Sequence, residues 1–270
     1  MNKYKAFANI FKLLLKNRKE FLKGVFRLTK DLSSKGEVVK KYNLAKGLPV
    51  VDLLDLFPNF EETISNYSYL DGTSKVIDIA LIKSIIKSKK DVSYIEFGSW
   101  RGESLVNIHN DAKETFSMTL SKKQMKEFGF PDSAIKSSDF FTEKLTNITE
   151  IRENTQTYDY TELKGKFDVI FVDADHEYPG VKIDTANAYS LLRDDNSMIV
   201  WHDYGLSYEN INWPVLHGIL DGIPKADHKH LYRVSNTICA IYTKQEIKAN
   251  YPEISLPNKV FTVSIKAEKI

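Results

Sequence analysis

The sequence predicts an α/β fold, a doubly wound Rossmann-like sheet of seven strands with helices on both faces. Short apolar segments typical of buried strands alternate with helical segments after residue 90, and this alternation indicates a mostly parallel sheet. A turn with two glycines follows the first of these strands, and polar residues follow two later strands. Because ligands of such sheets bind at the carboxyl ends of the strands, we expect the functional site at that edge.

The strands and helices are predicted from the spacing of their apolar residues. Seven strands are expected at residues 94–97, 115–120, 148–152, 167–172, 198–201, 231–234 and 237–243. Helices are expected at residues 77–86, 103–109, 122–128 and 181–192. The last two strands form a terminal pair, in which the final strand runs antiparallel to the rest of the sheet.

The bulk composition indicates an ordinary globular protein. Of the 270 residues, 42% are hydrophobic and 27% are charged, which argues against extensive disorder. The formal net charge of +2 is too small to imply nucleic-acid binding, so no nucleic-acid partner is expected. The only cysteine, Cys239, excludes an intramolecular disulfide and a multi-cysteine metal site. Its apolar neighbours predict that it is buried in a strand.

The sequence shows neither a membrane-spanning segment nor a secretory signal. A spanning helix needs about 20 consecutive apolar residues, and a signal peptide needs an apolar stretch of about 7–15 residues. Near the N-terminus the longest aliphatic run is Leu13–Leu15. We therefore expect a cytoplasmic protein.

Residues 1–48 are expected to form a basic helical extension, and residues 49–270 the main domain. In the first 30 residues, apolar side chains recur at helical spacing between nine lysine and arginine residues, a pattern typical of an amphipathic helix or helix pair. Ser33–Gly36 is expected to break the helix. Residues 1–30 could pack on the main domain or on a second subunit of a homo-oligomer. They could also bind an anionic membrane, which would place the protein peripherally at the inner membrane surface.

The glycine turn lies between a predicted strand and a predicted helix, within Tyr94–Ser104. Gly98 allows a sharp turn, and Gly102 is expected to allow close approach of a ligand. The Gly-x-x-x-Gly spacing differs from the Gly-x-Gly-x-x-Gly pattern of dinucleotide sites, which hold a pyrophosphate. The carboxylate of Glu96, just before the turn, would repel a phosphate but attract a cation. The turn therefore favours S-adenosylmethionine (SAM), which carries an ammonium and a sulfonium, over NAD; a turn without any ligand is the alternative.

Polar residues follow two predicted strands at their carboxyl ends. Asp173, Asp175 and His176 follow one apolar strand, and His202 and Asp203 follow the next. Because parallel strands bring their carboxyl ends to one edge of the sheet, we expect these side chains to converge. Such a cluster suits a divalent cation such as Mg²⁺ or general-base catalysis. A structural role as helix N-caps is the alternative.

The remaining histidines and the nearby aromatic residues are interpreted from their neighbours. Four histidines do not belong to a polar cluster in the sequence and are expected on the surface or in loops, namely His109, His217, His228 and His230. Four aromatic residues in or after the strand at 198–201 could stack on a sugar ring or pack beneath a lid, namely Trp201, Tyr204, Tyr208 and Trp213.

With both motifs considered together, the chain resembles class I SAM-dependent methyltransferases between about Asp71 and Tyr242. It is most similar to a bacterial branch of this family that has Asp-x-Asp-His-x-Tyr at one strand end and His-Asp-Tyr at a later one. In this chain these motifs are Asp173–Tyr178 and His202–Tyr204. The branch resembles sugar O-methyltransferases. The resemblance implies a SAM site made of Glu96, Gly98, Ser99, Arg101, Gly102, Ser104, Leu120, Ser121, Asn154, Thr155 and Asp173.

The resemblance also implies which part of SAM each segment contacts. The glycine turn would line the methionine part, and Asn154 and Thr155 would lie on the adenine side. The family usually has an acidic residue for the ribose hydroxyls at the end of the second strand, but this chain has Leu120 and Ser121 there. Thr119, Ser121 or backbone groups would then bind the ribose.

In the metal-assisted sugar and catechol O-methyltransferases that this branch resembles, an aspartate after the fourth strand and an acidic pair after the fifth hold Mg²⁺. Asp173 and Asp203 match these positions, whereas His202 stands where another carboxylate or its amide is expected. The resemblance thus implies that Asp173 and Asp203 hold Mg²⁺ or another divalent cation. It implies Asp175 or His176 as the base, with His202 and Asp203 completing the catalytic set.

We therefore predict direct transfer of the SAM methyl group to a sugar or polyol hydroxyl of a glycan or small molecule, with or without a metal. The enzyme would mainly align the reactants, for which effective molarities of about 10⁵ M and above are possible. Two other classes remain as alternatives. An NAD-dependent oxidoreductase should show a third glycine and an acidic end to the second strand. A non-catalytic partner- or membrane-associated protein would retain only the fold.

Overall fold

The computed structural model describes residues 3–269, which contain one mixed sheet with helices on both faces. The strands within these residues are β1 Val50–Val51, β2 Ser93–Phe97, β3 Glu114–Met118, β4 Thr149–Ile151, β5 Val169–Val172, β6 Met198–Trp201, β7 Leu231–Val234, β8 Ala240–Tyr242 and β9 Ala249–Asn250. The helices are α1 Lys3–Lys16, α2 Arg18–Tyr42, α3 Leu53–Leu56, α4 Val76–Lys87, α5 Glu103–Ile108, α6 Lys122–Glu127, α7 Asp132–Ser137, α8 Tyr178–Leu191 and α9 Trp213–Gly222. Short 3₁₀ helices lie at Thr161–Leu163 and Lys225–His230.

The strands lie in the order β4-β3-β2-β5-β6-β8-β7-β1-β9. β4, β3, β2, β5 and β6 are parallel, whereas β8 runs antiparallel to both β6 and β7. The predicted α/β Rossmann-like fold is confirmed, and all seven predicted strands are present. The predicted count of seven is wrong, because β1 and β9 extend the sheet beyond β7. Each of these two strands has only two residues, too few to show a strand pattern.

Both faces of the sheet are buried, as expected for parallel strands covered by helices. In β5, Ile170 and Val172 contribute to one hydrophobic core, and Phe171 contributes to the other. Residues of α2, α8 and α9 complete the first core, and residues of α4 and α5 complete the second. Cys239 is fully buried just before β8, as predicted.

The N-terminal extension consists of α1 and α2, which meet at Asn17. The predicted break at Ser33–Gly36 is wrong, because α2 continues through it. Ser34 and Val38 are buried on the side of α2 that packs on α9, and this contact keeps the segment helical. Val38 also belongs to the same hydrophobic core as β5. The boundary at residue 48 stays a prediction, and residues 1 and 2 lie outside the described part of the chain. None of the helices within residues 3–269 is long and apolar enough to cross a membrane.

Two of the histidines expected at the surface are buried. His217 of α9 stacks on the ring of Tyr178, with ring centroids 3.9 Å apart. His109 ends α5, with Nδ1 3.0 Å from the carbonyl oxygen of Leu105. The surface prediction is wrong for these two because α9 was not expected and because α5 is covered. His228 and His230 are half-buried in a 3₁₀ helix.

Packing explains the aromatic residues of the β6 region better than stacking on a ligand. Trp201, Tyr204 and Trp213 are buried in the first core. Trp201 Nε1 donates to Thr185 Oγ1 at 2.9 Å. Tyr208 lies 5.3 Å from the guanidinium of Arg233, measured to its ring centroid. None of these four aromatic residues lines the two cavities found within residues 3–269.

Candidate active site

A cavity of about 940 Å³ opens at the carboxyl ends of β2, β3, β4, β5 and β6. Nine of the predicted site residues line it, namely Gly98, Leu120, Asn154, Thr155, Asp173, Asp175, His176, His202 and Asp203. The other predicted residues lie beneath or beside its wall, namely Glu96, Ser99, Arg101, Gly102, Ser104 and Ser121. The cavity therefore joins the glycine turn, the adenine-side segment and both polar strand ends.

The two glycines of the turn have different packing partners. Gly98 has φ +90°, and a Cβ at this position would lie 2.3 Å from the carbonyl oxygen of Asp173. Gly98 therefore lets the end of β2 lie directly against the end of β5. Gly102 has φ +85°, and its Cβ would lie 2.2 Å from Thr142 Cγ2. A ligand was expected to approach Gly102 closely, but the residue that packs against Gly102 is Thr142.

Glu96 lies beneath the glycine turn and is 1% exposed. Its carboxylate accepts hydrogen bonds from Ser104 Oγ at 2.6 Å and from the Tyr94 hydroxyl at 2.8 Å. Burial raises the pKa of Glu96 to about 7, although these hydrogen bonds favour the charged form. Glu96 and Ser104 therefore bind each other below the cavity instead of lining it. Any attraction that Glu96 exerts on a cationic ligand must act across the residues that separate Glu96 from the cavity.

Arg101 holds a loop over the cavity. Its Nε donates to Glu103 Oε2 at 3.1 Å, and its other nitrogens donate to the carbonyl oxygen of Asp71 and to the Thr73 hydroxyl. The guanidinium also stacks on Trp100, 4.1 Å from the ring centroid. Residues 72 and 73 of this loop line the cavity. Arg101 thus positions the wall of the site, a role that the sequence did not reveal because its partners lie about 30 residues away.

His202 occupies the centre of the polar cluster and is buried. Its Nε2 lies 3.2 Å from Oδ2 of Asp78, and its Nδ1 lies 3.1 Å from Oδ1 of Asp173 and 3.4 Å from Oδ1 of Asp203. Burial opposes protonation of the ring, but the charges of Asp173 and Asp78 and the hydrogen bond with Asp78 outweigh it. Together they raise the pKa of His202 well above its usual value. His202 is therefore a cation that balances the carboxylates around it.

Asp78 is a functional residue that the sequence reasoning missed. It is fully buried in α4, between apolar neighbours. Besides contacting His202, it accepts hydrogen bonds from the backbone nitrogens of Lys75 and Ile238, each at 3.1 Å. A lone aspartate on the apolar face of a predicted helix was the available signal, since such a residue must find a partner when buried.

Asp175 and His176 have different surroundings. Oδ1 of Asp175 accepts from the backbone nitrogen of Glu177 at 2.8 Å, and Oδ2 accepts from Gln156 Nε2 at 3.0 Å. This contact is a turn before α8, whose N-cap is Glu177 without a side-chain cap bond, so Asp175 is not the N-cap that the structural alternative predicted. His176 is half-exposed, and its Nδ1 lies 3.4 Å from Oδ2 of Asp203. His176 is thus the freer of the two candidate bases.

Three residues of the cluster form a group that fits a divalent cation. Asp173, His176 and Asp203 each offer one donor atom, and these atoms lie within 4.8 Å of one another. Two carboxylate oxygens and one imidazole nitrogen suit Mn²⁺, Fe²⁺ or Zn²⁺ as well as Mg²⁺. Asp203 also has φ +55°, which is uncommon for a residue other than glycine and which recurs at functional sites. His176 therefore joins the metal pair that the family resemblance implied.

The adenine side of the cavity contains an acidic residue that the sequence reasoning missed. Glu153 follows β4 and lines the cavity, and its Oε2 accepts from Gln124 Nε2 at 3.1 Å. Ser121 instead caps α6, since its Oγ accepts from the backbone nitrogen of Gln124 at 3.2 Å. A carboxylate therefore lines the cavity from the segment after β4, whereas Leu120 and Ser121 after β3 provide none. Apolar side chains complete this wall, namely Met118, Leu120, Met125, Phe128 and Phe130.

A buried carboxyl group lies behind this wall, beside Thr155. Asp184 of α8 is fully buried, and its carboxylate oxygens have no hydrogen-bond partner meeting normal geometry among the described residues. Burial raises the pKa of Asp184 to about 7, because a charge is poorly solvated there. Between about pH 4 and pH 7 the folded protein therefore keeps a proton that the unfolded chain loses, and stability falls as the pH rises.

Asp184→Asn is expected to stabilise the protein by about 4 kcal/mol more at pH 8 than at pH 4, because it removes the ionisation that folding opposes. Urea unfolding across this pH range measures the difference. Asp195→Asn is the matched control, since the side chain of Asp195 is 81% exposed. A difference between Asp184→Asn and wild type that does not change with pH would contradict the raised pKa.

One family model matches the central part of the chain. Residues 95–204 match the family model described as a methyltransferase domain. The match supports a SAM-dependent methyltransferase. The matched residues run from β2 to the segment after β6 and so contain the glycine turn and both polar strand ends. A sequence comparison with curated proteins gave no match.

Solved structures of methyltransferases are similar to this chain at low identity. A putative methyltransferase from Bacillus halodurans is 14% identical over 48% of this chain and 52% of that chain, with a TM-score of 0.36. SAM-bound CalS10 from Micromonospora echinaspora, an amino pentose methyltransferase of calicheamicin biosynthesis, is 12% identical over 52% and 55%, with a TM-score of 0.38. A TehB-like SAM-dependent methyltransferase from Corynebacterium glutamicum is 12% identical over 61% and 87%, with a TM-score of 0.38. The chain spans about half the length of the first two, so the substrate class must be inferred from the cavities.

Proposed function

We propose that the protein is a SAM-dependent O-methyltransferase that acts on a sugar or polyol hydroxyl. The observation that carries this proposal is the continuity of one cavity from the adenine-side wall to the Asp-His cluster. A methyl donor bound on that wall and a hydroxyl bound by the cluster would lie next to each other in this one cavity. An enzyme that aligns two reactants in this way removes much of the entropic cost of their encounter.

The residues of the cavity fit SAM. The apolar wall around Met118 and Phe130 suits an adenine ring, and Glu153 offers a carboxylate for ribose hydroxyls. The carboxylate of Asp173 reaches the cavity beside Gly98 and would attract the ammonium or the sulfonium of SAM. A pyrophosphate fits less well, because the strand-end groups near Gly98 are mostly carboxylates.

A second cavity provides room for the acceptor. It has a volume of about 1080 Å³ and lies between α2 and the segment that follows β6. The two cavities share the lining residues His176, Glu177, Asp203 and Ile238. An acceptor in the second cavity would therefore meet the polar cluster from the side opposite the adenine wall. The ion pair between Lys30 and Glu177, at 3.0 Å, links α2 to this junction.

The cluster can align a hydroxyl and remove its proton. SAM supplies a methyl group on a cationic sulfur; as the new oxygen–carbon bond forms, the carbon–sulfur bond breaks and the hydroxyl proton must leave. We assign His176 as the proton acceptor, because both carboxylate oxygens of Asp175 accept protein hydrogen bonds. Asp203 orients the His176 ring, and the buried pair of Asp78 and His202 positions Asp173.

A divalent cation is a further part of the proposal. Asp173, His176 and Asp203 would hold it, and the bound ion would lower the pKa of the acceptor hydroxyl and help to orient it. His176 cannot serve as metal ligand and as base through the same nitrogen, so these two roles are alternatives. The experiments on Asp203 described below separate them.

Isothermal titration calorimetry with SAM, S-adenosylhomocysteine and NAD tests the cofactor. We expect micromolar binding of the first two and no heat from NAD. Glu153→Gln should weaken SAM binding about tenfold, because a hydrogen bond to a charged group contributes about 1.5–3 kcal/mol. Glu162→Gln, at an exposed position, is the matched control. Binding of NAD without SAM would overturn the proposal in favour of an oxidoreductase.

A further inference from the structure

The N-terminal helices carry a large share of the positive charge of the chain. Residues 3–31 contain nine lysine and arginine residues and two acidic residues, which gives a formal charge of +7. Because the whole chain carries +2, the remaining residues carry −5. Six of the nine cations lie before α2 or in its first turn and are exposed, namely Lys3, Lys5, Lys12, Lys16, Arg18 and Lys19.

The polar side of α2 faces the protein. Lys23, Arg27 and Lys30 line the second cavity, and Ser34 and Val38 continue the same side of the helix into the contact with α9. These five residues are spaced three or four positions apart, so they share one face of the helix. An amphipathic helix on a globular protein normally turns its apolar side inward. The first half of α2 instead directs three basic residues to the second cavity, which Phe26 and Leu28 also line.

Other apolar residues of α2 are exposed on its far side. Val25 and Leu32 lie opposite to Lys23 and Arg27, and Leu22 lies beside them on the helix; the exposures of Leu22, Val25 and Leu32 are 39%, 44% and 58%. In α1, Ile10, Phe11 and Leu15 are 48%, 58% and 70% exposed. We call these six residues the outward apolar face. Exposed apolar residues concentrated on two adjoining helices mark a surface that something else covers.

Charge decides between the two candidates for what covers this face. A second copy of the chain would bring another +7 against the same helices, and like charges at close range oppose association. An anionic bilayer attracts these charges, and each basic residue near such a surface strengthens binding. A bilayer interface also accepts an apolar helix face while lysines and arginines reach the headgroups. The charge of the helices therefore complements a lipid surface and opposes self-association.

We infer that α1 and α2 dock the protein peripherally on an anionic lipid surface through the outward apolar face. The helices lie along the interface and do not cross it. The main domain stays on the polar side of α2, where the second cavity and α9 already contact the helix.

Flotation of the full chain with lipid vesicles tests this inference. We expect binding to vesicles of phosphatidylcholine with 30% phosphatidylglycerol, little binding to pure phosphatidylcholine, and weaker binding as salt screens the charges. The apolar triple variant Leu22→Gln/Val25→Gln/Leu32→Gln should lower the partition coefficient more than about tenfold, because each apolar side chain that enters the interface strengthens binding. A charge triple variant should reduce binding to the level of neutral vesicles; it is Lys12→Glu/Lys16→Glu/Lys19→Glu.

Matched controls change the same residue types elsewhere on the surface. The apolar control replaces three exposed residues of the C-terminal segment, Leu256→Gln/Val263→Gln/Ile265→Gln. The charge control replaces three exposed lysines, Lys164→Glu/Lys225→Glu/Lys229→Glu. Both controls should bind vesicles like wild type, and all variants should keep wild-type circular dichroism.

Three results would overturn the inference. The first is an absence of binding to anionic vesicles, and the second is equal binding to neutral ones. The third is a dimer, measured by light scattering, that the apolar triple variant dissociates, because a second copy would then cover the face. None of these readouts depends on SAM or on turnover, so methyl transfer is tested separately.

Discussion

Gly98→Ala is expected to lower the free energy of unfolding by about 2–5 kcal/mol and to weaken SAM binding. Two costs add at this position. A non-glycine residue at φ +90° costs about 1–2 kcal/mol, and overpacking costs about 1–3 kcal/mol. The clash is with backbone, since the new Cβ would lie 2.3 Å from the carbonyl oxygen of Asp173, and a backbone atom cannot move aside as a side chain can.

Gly129→Ala is the matched control for the steric part of this effect. Gly129 also has a positive φ, +77°, but a Cβ there meets no atom within 4 Å. Its substitution should therefore cost only the backbone term, about 1–2 kcal/mol. Urea unfolding of the two variants gives the difference, which isolates the contact between the ends of β2 and β5. Equal losses in the two variants would show that this contact adjusts without cost.

The effect of Gly98→Ala on SAM follows from the same geometry. Any shift that relieves the clash must move the end of β2 or the end of β5, and Asp173 begins the polar cluster at the latter. We expect the dissociation constant for SAM to rise at least about tenfold at a temperature where the variant is still folded. Unchanged SAM affinity would mean that the cofactor is held away from this junction.

The polar strand ends could be predicted because each is recorded in one continuous stretch of sequence. β5 and β6 are uninterrupted apolar runs that stop at a polar residue. The same stretch of sequence therefore predicts both the strand and the residue at which it ends. Parallel topology then brings Asp173 and His202 to neighbouring positions, because β5 pairs directly with β6. The fold class and the convergence of the cluster therefore needed no information about distant contacts.

The parts that could not be predicted depend on partners far away in sequence. Ser33–Gly36 has the composition of a break, yet α9 holds it in a helix. β1 pairs with β7 through only two residues, so its strand character comes from the pairing itself. Glu153 was overlooked because a glutamate after a weak strand has many ordinary roles. In each case local composition was outweighed by tertiary contact.

The sequence predicted that Glu96 would face a cationic ligand, but Glu96 is buried below the cavity. Its position before the glycine turn is a property of the sequence, but its burial depends on Tyr94 and Ser104, which enclose the carboxylate. Residues on alternate sides of a strand face opposite surfaces, and which surface holds the ligand is set by the helices. The attraction for a cation is therefore shared with Asp173 and Glu153, which do line the cavity.

Asp203→Asn is expected to reduce turnover by about 10²–10³-fold, because it removes the carboxylate that orients His176 and that would also bind a metal. General-base catalysis by a positioned residue contributes about 10²–10⁴-fold. The measurement is the formation of S-adenosylhomocysteine by mass spectrometry with a sugar acceptor that wild type methylates. Asparagine has the same shape as aspartate, so the φ of +55° at this position should be tolerated.

Asp195→Asn serves as the control, because Asp195 is an exposed carboxylate paired with Lys244 at 2.6 Å. It should leave turnover at the wild-type value. Turnover of Asp203→Asn within about threefold of wild type would show that Asp203 has no role in the mechanism. This result would not bear on the roles of the other residues. SAM affinity, measured in parallel, should change little, which separates loss of chemistry from loss of the cofactor.

Chelation decides how Asp203 acts. If the group Asp173, His176 and Asp203 holds a divalent cation, EDTA should abolish turnover and Mn²⁺ or Mg²⁺ should restore it. Electron paramagnetic resonance should then detect Mn²⁺ bound to wild type but not to Asp203→Asn. If EDTA has no effect while Asp203→Asn remains inactive, Asp203 acts by orienting His176 as a base.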